Sequence, residues 1–301
     1  MTNVTEITPT ADKSQSAVWK IVSFPLTLLI LGEALVAFPA LYLASIGPNY
    51  LQNAMPWLVL PWTIASVTVT WLLYRAFKRW IERAPDRELA FEAGWLKEVL
   101  GGLAIGTVLF SAIVGAVALL GGLTVTGMGS GTSFFRIAAL SLAAGINEEV
   151  MFRAIGFRFA EKLGGSLVAI VLTSLLFGVA HLANPGASYF AAIAIAAEAG
   201  VMLGGAYMVT RRLWLAVGIH AGWNFTQGWL WSVPVSGNAA GDGLFLTERH
   251  GADWLTGGAF GLEASAVTMA VATLFGLAML VVAVRRGHWV PLCWLPGRAA
   301  A

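Results

Sequence analysis

Long runs of apolar residues, separated by short polar segments, make up most of this chain. A membrane-spanning helix requires about 20 consecutive, mainly apolar residues. Eight runs approach or exceed this length, and they cover residues 21–45, 57–77, 98–121, 134–159, 166–183, 187–210, 213–232 and 262–284. Because every backbone polar group must be hydrogen-bonded within the bilayer, such runs predict helices. The pattern therefore predicts an all-α, polytopic membrane bundle of about eight transmembrane helices.

The polar segments divide the chain into one membrane domain and two tails. Residues 1–18 are polar and rich in Thr and Ser, which is typical of a disordered tail, and residues 291–301 form a second tail. Residues 19–290 are predicted to be a single transmembrane domain, in which residues 98–232 form the core. The first apolar run is too long for the core of a signal peptide, so it predicts a retained first span.

Three connections between the runs have distinct compositions. Residues 75–98 are charged but include Leu89 and Trp95, so they indicate either an interfacial amphipathic helix or a solvated linker. Residues 121–132 are predicted to form turns. Residues 232–261 are Gly-rich and contain acidic residues, which fits either a lid over a site or an irregular loop.

Composition supports a membrane protein and excludes several other classes. The chain is 58% hydrophobic and 11% charged, whereas soluble domains are about 45–50% apolar and about 25% charged. A net charge of +2 is too small to indicate a nucleic-acid-binding protein. The single cysteine, Cys293, excludes an internal disulfide and a thiolate metal cluster, and too many residues follow it for a CAAX prenylation signal.

The positions of the lysine and arginine residues predict the orientation in the membrane. Sixteen of the eighteen basic residues fall in the tails and in alternate connections that share one side. Only Arg136 and Arg249 fall on the other side. By the positive-inside rule both termini are cytoplasmic, which agrees with an even number of spans. We therefore expect a multi-pass protein of the cytoplasmic membrane whose surroundings are lipid, with no nucleic-acid partner.

Ionisable residues inside the apolar runs are the candidates for function, because charge is costly at membrane depth. Glu148 and Glu149 lie in the fourth run, and Arg153 follows Glu149 by four residues. Helical spacing places Glu149 and Arg153 on one face and turns Glu148 by about 100° away from it. Glu149 and Arg153 therefore predict a structural ion pair, whereas Glu148 needs partners from other helices. Glu33 and Glu198 fit either hydrogen-bonded interior carboxyl groups or the wall of a polar path.

Later runs supply two histidines and an amide. Phe177 and His181 share a helical face at i,i+4 spacing, and so do His220 and Asn224. Peptide hydrolysis by water requires a base, an acid for the leaving amine and donors for the oxyanion. These roles are filled if Glu148 and His181 activate water and if His220 and Asn224 face the oxyanion. No Ser or Cys stands beside a histidine as a nucleophile, so direct attack by water fits the residues better than an acyl-enzyme.

Three motifs in this order are similar to those of the CPBP family of intramembrane glutamic endopeptidases. They are Glu-Glu-x-x-x-Arg at 148–153, Phe-x-x-x-His at 177–181 and His-x-x-x-Asn at 220–224. The family includes the type II CAAX prenyl endopeptidase and bacterial Abi-type proteins. The resemblance covers residues 98–232. It implies an all-α membrane core, no cofactor or metal, and hydrolysis of a membrane-associated peptide or protein.

The resemblance also assigns roles to individual residues. The implied catalytic residues are Glu148, His181, His220 and Asn224, and the implied supporting residues are Glu149, Arg153 and Phe177. One geometric point opposes this grouping, because straight, level helices separate His181 from the depth of Glu148 by about 10 Å.

Three other functions fit part of the same pattern. A non-catalytic scaffold or immunity factor is one, since some bacterial members of the family serve in this way. A transporter with a polar core is another, although no internal repeat is evident. A zinc-dependent membrane protease is the third, with both membrane histidines and the glutamate pair as ligands, although the helical His-Glu-x-x-His motif is absent. The sequence does not indicate an oligomeric state.

Overall fold

The structure is a computed structural model, and it describes residues 17–47, 51 and 55–292. The predicted tail 1–18 lies almost wholly outside the described residues, as do Cys293 and most of the predicted tail 291–301. Ten helices occur in the described part of the chain, and their bounds are α1 Ala17–Val22, α2 Pro25–Ile46, α3 Pro56–Glu82, α4 Trp95–Leu119, α5 Phe134–Glu149 continued by Val150–Phe157 and Arg158–Gly164, α6 Ser166–Ala183, α7 Tyr189–Thr210, α8 Trp214–Phe225 continued by Thr226–Leu230, α9 Asp253–Thr256 and α10 Ala266–Arg285.

The eight longer helices, α2 to α8 and α10, correspond to the eight predicted runs. Six of them, namely α2, α3, α4, α6, α7 and α10, are long and apolar enough to cross a membrane. The other two are α5, which carries several charged residues along its length, and α8, which is the shortest of the eight. The chain is therefore a polytopic, all-α membrane protein, as predicted. The two helices that depart from a simple apolar span carry most of the candidate site.

Glycines allow α4 and α8 to pack backbone against backbone. Gly102 and Gly106 of α4 face Gly218 and Gly222 of α8, so that no side chain separates the two helices. A Cβ atom on Gly102 would lie 2.6 Å from the carbonyl oxygen of Leu215, a distance that forces one backbone to move. Small residues commonly bring membrane helices together in this way. The close packing fixes α8, which carries His220 and Asn224, against the bundle.

Two adjacent glycines of α4 are expected to respond in opposite directions to alanine substitution. Gly102→Ala should lower the free energy of unfolding by roughly 1–3 kcal/mol, because the new methyl group overpacks the α4–α8 contact. Gly101→Ala is the matched control, since no atom lies within 4 Å of a Cβ atom there. That change should be neutral or stabilise the helix by about 0.5–1 kcal/mol. Thermal unfolding in detergent measures both, and equal effects would contradict the packing.

Buried charges close one end of the bundle, which we call the charged end. Glu82 forms ion pairs with Arg158 and with Lys78, whose Nζ lies 3.1 Å from Oε2 of Glu82. Glu88 adds contacts to the same two cations at 3.3 and 3.4 Å. Every charge in this cluster has an opposite partner, which offsets the cost of removing it from water. The cluster therefore joins α3, α5 and the connection that follows α3.

Residues 75–98 contain no separate amphipathic helix, in contrast to one of the two expectations for them. A 3₁₀ turn, Arg87–Leu89, is the regular element between α3 and α4. Leu89 is buried, and the carbonyl oxygen of Glu88 accepts a hydrogen bond from the N–H of Leu213 at 2.9 Å. Contacts with the turn before α8 hold this stretch against the bundle. These contacts determine its conformation, although its pattern of apolar residues would suit an amphipathic helix.

A two-stranded antiparallel sheet lies at the opposite end of the bundle. It pairs β1, Leu123–Met128, with β2, Phe245–Arg249. The expectation of turns alone for residues 121–132 is therefore wrong. The segment contains β-branched residues, which favour strands, but so short a strand becomes visible only with its partner. That partner lies far along the chain, within residues 232–261.

Candidate active site

The fifth helix changes its winding where the acidic motif ends. After Glu149 the helix continues as the π-helical stretch Val150–Phe157, a kind of irregularity that is frequent at functional sites. Nη1 of Arg153 lies 3.0 Å from Oε1 of Glu149, and Nη2 donates to the carbonyl oxygens of Ala199 and Gly200 at 3.1 and 3.4 Å. Both charged side chains are almost completely buried. The ion pair thus ties α5 to α7.

His220 joins the two glutamates of α5 to α8. Its Nδ1–H donates to Oε1 of Glu149 at 2.8 Å, because the carboxylate oxygen of the ion pair can only accept. Its other nitrogen, Nε2, lies 3.8 Å from Oε2 of Glu148. The spacing within the motif predicts the pairing of Glu149 with Arg153, but it gives no sign of this link to His220. Glu149 therefore orients the imidazole as well as balancing the arginine.

The two adjacent glutamates occupy different surroundings. The side chain of Glu149 is 0% exposed, whereas that of Glu148 is 25% exposed and lines a cavity. Oε2 of Glu148 is buried without a hydrogen-bond partner among the described residues. This difference follows from helical geometry, which turns successive side chains by about 100°. Glu148 is consequently the carboxylate that is able to meet a substrate or water.

His181 is held by its own helix and by an aromatic ring. Its Nδ1–H donates to the carbonyl oxygen of Phe177 at 2.8 Å, which leaves Nε2 as the nitrogen able to accept a proton. The ring of Phe177 lies 4.7 Å from that of His181 and 6.2 Å from that of His220, measured between centroids. The guanidinium carbon of Arg153 lies 4.9 Å from the centre of the same ring. Phe177 therefore packs against His181 of its own motif, His220 of the third motif and Arg153 of the ion pair.

One cavity of about 610 Å³ brings together the four predicted catalytic residues. Glu148 comes from α5, His181 from the end of α6, and His220 and Asn224 from α8. The depth difference expected for His181 does not separate it from Glu148, since both line this cavity. That expectation treated the helices as level, whereas α6 is much shorter than α5. The described residues show no direct hydrogen bond between Glu148 and His181, so the two side chains share the cavity without closing it against each other.

Several residues on the cavity wall were not predicted from the sequence. Asn147 is buried beside Glu148, and the hydroxyl of Thr70 donates to its Oδ1 at 2.8 Å. Its position next to the acidic pair was the available signal. Ser236 and Asn238 belong to residues 232–261, so this segment forms one wall of the site. The composition of that loop allowed either a lid over a site or an irregular loop, but it did not single out these two residues.

The family comparison agrees with these motifs. Residues 130–226 match the family model described as Type II CAAX prenyl endopeptidase Rce1-like, and this range contains all three motifs. Over this range the chain is similar to type II CAAX prenyl endopeptidases, which the motifs also indicate. The match covers about a third of the chain, which is the part that supplies the predicted catalytic residues. No curated protein and no solved structure matches the chain.

The description of the matched model names an endopeptidase, which is a hydrolase of peptide bonds. The six long apolar helices are typical of a multi-pass membrane protein.

Proposed function

We propose that this protein is a membrane endopeptidase that hydrolyses membrane-associated peptides or proteins with water activated by Glu148 and His181. The observation that carries the proposal is the shared cavity, on which residues from three helices converge although they are far apart in sequence. His220 and Asn224 lie on the same wall and supply the donors that a developing oxyanion requires.

The proposed reaction follows from the positions of the proton acceptors. Glu148 accepts one proton from the attacking water, whose oxygen forms a bond to the carbonyl carbon of the peptide. Nε2 of His181 accepts a hydrogen bond from the same water and takes its second proton as the product acid forms. Glu148 then passes its proton to the leaving nitrogen as the carbon–nitrogen bond breaks. His181 releases the second proton to water in the cavity, which returns the glutamate and the histidine to their starting states.

The oxyanion site is supported by the link between α5 and α8. Glu149 holds His220 through Nδ1, so Nε2 of an imidazolium at this position donates into the cavity. Asn224 follows one helical turn later on the same face of α8 and adds its amide N–H group. Donors that are held before the reaction cost no reorganisation when the charge develops. This preorganisation is the role that we assign to the Glu149–Arg153 pair.

The orientation and position of the site indicate how substrates reach it. By the positive-inside rule we place both termini in the cytoplasm and the charged end at the cytoplasmic face. The cavity is lined by Asn184, Ser236 and Asn238, which belong to connections at the opposite end of the bundle. Residues of α2, among them Leu41 and Ala44, complete the wall. We therefore infer that substrates enter from the outer half of the membrane.

Comparative profiling of membrane peptides tests the proposal even though the substrate is unidentified. Membranes from cells that produce the wild type are compared with membranes from cells that produce Glu148→Gln at the same level. We expect peptides that shorten or disappear only with the wild type. Identical profiles would favour a scaffold or transporter of the same fold.

Chelation distinguishes the glutamic mechanism from the zinc-dependent alternative. His181, His220 and Glu148 line one cavity, which is the observation that favours zinc, but the described residues contain no group of three or more His, Cys, Asp or Glu arranged to hold a metal ion. We expect that purified protein cleaves its substrate equally well after prolonged treatment with a strong zinc chelator. Loss of cleavage that added zinc restores would establish the metalloprotease instead.

A further inference from the structure

A second, smaller cavity adjoins the candidate active site on the side of α7. Its volume is about 20 Å³, which is roughly the space that one water molecule requires. His181, His220 and Asn224 line this cavity as well as the larger one. Glu198 and Glu263 line the smaller cavity as well. Two acidic residues that the three motifs do not include thus line the same small cavity as His181.

Glu263 lines the smaller cavity and accepts hydrogen bonds from Ser236, a residue that lines both cavities. It lies in the 3₁₀ turn Leu262–Ala264 that precedes α10, and it is 4% exposed. Its Oε2 accepts a hydrogen bond from the backbone N–H of Ser236 at 2.5 Å and another from the hydroxyl of Ser236 at 3.1 Å. Ser236 has a positive φ of 47°, a conformation that a serine retains only where its surroundings enforce it. Glu263 provides that enforcement, and Ser236 in turn lines the larger cavity.

Glu198 is more isolated than Glu263. It lies in the π-helical turn Ala196–Gly200 of α7 and is 2% exposed. Its Oε2 has no hydrogen-bond partner among the described residues, although it lines the small cavity. Neither Glu198 nor Glu263 forms an ion pair with any lysine or arginine in the described part of the chain. This differs from the charged end, where every buried carboxylate has a cationic partner.

Two carboxyl groups in such a cavity cannot both ionise at low cost, because the charges repel each other and neither is hydrated. The two groups interact electrostatically, and Glu263 also interacts with His181. Burial raises the pKa of Glu263, which lies outside the membrane-spanning helices, and the hydrogen bonds from Ser236 oppose this shift only in part. The pair is therefore expected to retain at least one proton at neutral pH.

We propose that Glu198 and Glu263 form a proton-sharing carboxyl pair that positions His181 and stabilises its charged form during peptide hydrolysis. The inference rests on the proposed function, in which Nε2 of His181 receives a proton from the attacking water. Nδ1 of His181 is already engaged with the carbonyl oxygen of Phe177, so the ring becomes an imidazolium at that moment. A pair that holds one proton carries one negative charge, and that charge faces the imidazolium from the small cavity. Both glutamates act through His181 and do not contact the peptide.

The other charged or titratable groups near His181 do not replace this pair. Glu148 faces His181 across the larger cavity, where it is engaged with water in the proposed reaction. Glu149 is committed to Arg153 and His220. The groups that face this region from the packed elements are Glu148, Glu149 and Arg153 of α5, Glu198 of α7, His220 of α8, and Glu263 before α10.

The pH dependence of cleavage tests the proposal. Glu198→Gln and Glu263→Gln should each lower kcat by about threefold, because the remaining carboxyl group ionises alone and keeps one negative charge near His181. The double variant should lower kcat roughly tenfold or more and move the acidic limb of the kcat/KM profile about one pH unit lower, since a less stabilised imidazolium makes His181 a weaker base. A double variant with an unshifted limb would overturn the proposal, because a purely structural role lowers stability without moving that limb.

Infrared spectroscopy of the purified protein gives a readout that needs no substrate. The wild type should show the band of a protonated carboxyl group at neutral pH, and this band should be weaker in the double glutamine variant. Equal bands in the two proteins would overturn the pair. Glu148→Gln in the same cleavage assay separates the two proposals. If Glu148→Gln is inactive while the double variant matches the wild type, only the pair is wrong. If Glu148→Gln cleaves normally, the proposed function is wrong.

Discussion

Replacing Glu148 by glutamine is expected to lower the rate of peptide cleavage by roughly 100- to 10,000-fold, the range that a positioned acid–base group contributes. Glutamine keeps the shape of the side chain but cannot accept the proton of the attacking water. The fold should not change, because Glu148 is partly exposed to the cavity and makes no hydrogen bond to any described residue. The measurements are turnover of a peptide identified by membrane profiling, and thermal unfolding of the same preparation.

Two other glutamates serve as comparisons for this result. Glu92→Gln alters an exposed carboxylate far from the cavity and should change neither turnover nor stability. Glu149→Gln removes a buried charge from Arg153 and should lower both. A Glu148→Gln protein that unfolds like the wild type and still cleaves at the normal rate would remove Glu148 from the mechanism. A variant that loses activity only together with stability would reduce Glu148 to a structural role.

The apolar pattern was sufficient to predict the helices but not the short elements between them. A run of about 20 apolar residues has few alternatives to a helix in a bilayer, which explains the agreement for the eight longer helices. The strand β1 was missed, and the amphipathic-helix alternative for residues 75–98 was wrong, because both segments depend on distant partners, Arg249 and Leu213 among them. Local sequence carries no information about such partners.

The candidate site shows the same limit at the level of side chains. Spacing within one helix predicts the pairing of Glu149 with Arg153, because residues four apart lie on one face. The bond from His220 to Glu149 joins two helices, so no spacing predicts it. Glu198 is a different case, because its position inside an apolar run already predicts an interior carboxyl group. Its relation to Glu263 became visible only with the fold, since the two lie in different helical segments.

The π-helical stretches are a further reason why the sequence does not predict the directions of all the side chains in the bundle. Three of the ionisable residues inside the bundle, Glu33, Arg153 and Glu198, lie within such stretches of α2, α5 and α7. A π-helical turn rotates the residues after it around the helix axis, relative to their positions in a regular helix. Regular helical counting from the sequence therefore becomes unreliable after each of these positions.

Replacing Arg153 by alanine is expected to have the largest effect on stability, with a loss of about 3–5 kcal/mol in the free energy of unfolding. The change leaves the buried carboxylate of Glu149 without its cation and the carbonyl oxygens of Ala199 and Gly200 without a donor. It should also lower activity, because Glu149 holds His220 in place. Thermal unfolding in detergent, yield from membranes and turnover measure the three consequences.

A double variant, in which Glu149 is changed together with Arg153, separates the effect on stability from the effect on activity. Removing both charges in Glu149→Gln with Arg153→Met should recover much of the lost stability, since a buried ion pair contributes little more than well-packed neutral side chains of similar size. The amide oxygen of glutamine still accepts from Nδ1 of His220, but it balances no positive charge on the ring. Activity should therefore stay low in the double variant although the fold is restored. Arg79→Ala, an exposed change on α3, is the control and should behave as the wild type. A stable, fully active Arg153→Ala protein would contradict the role of this ion pair in holding His220 for catalysis.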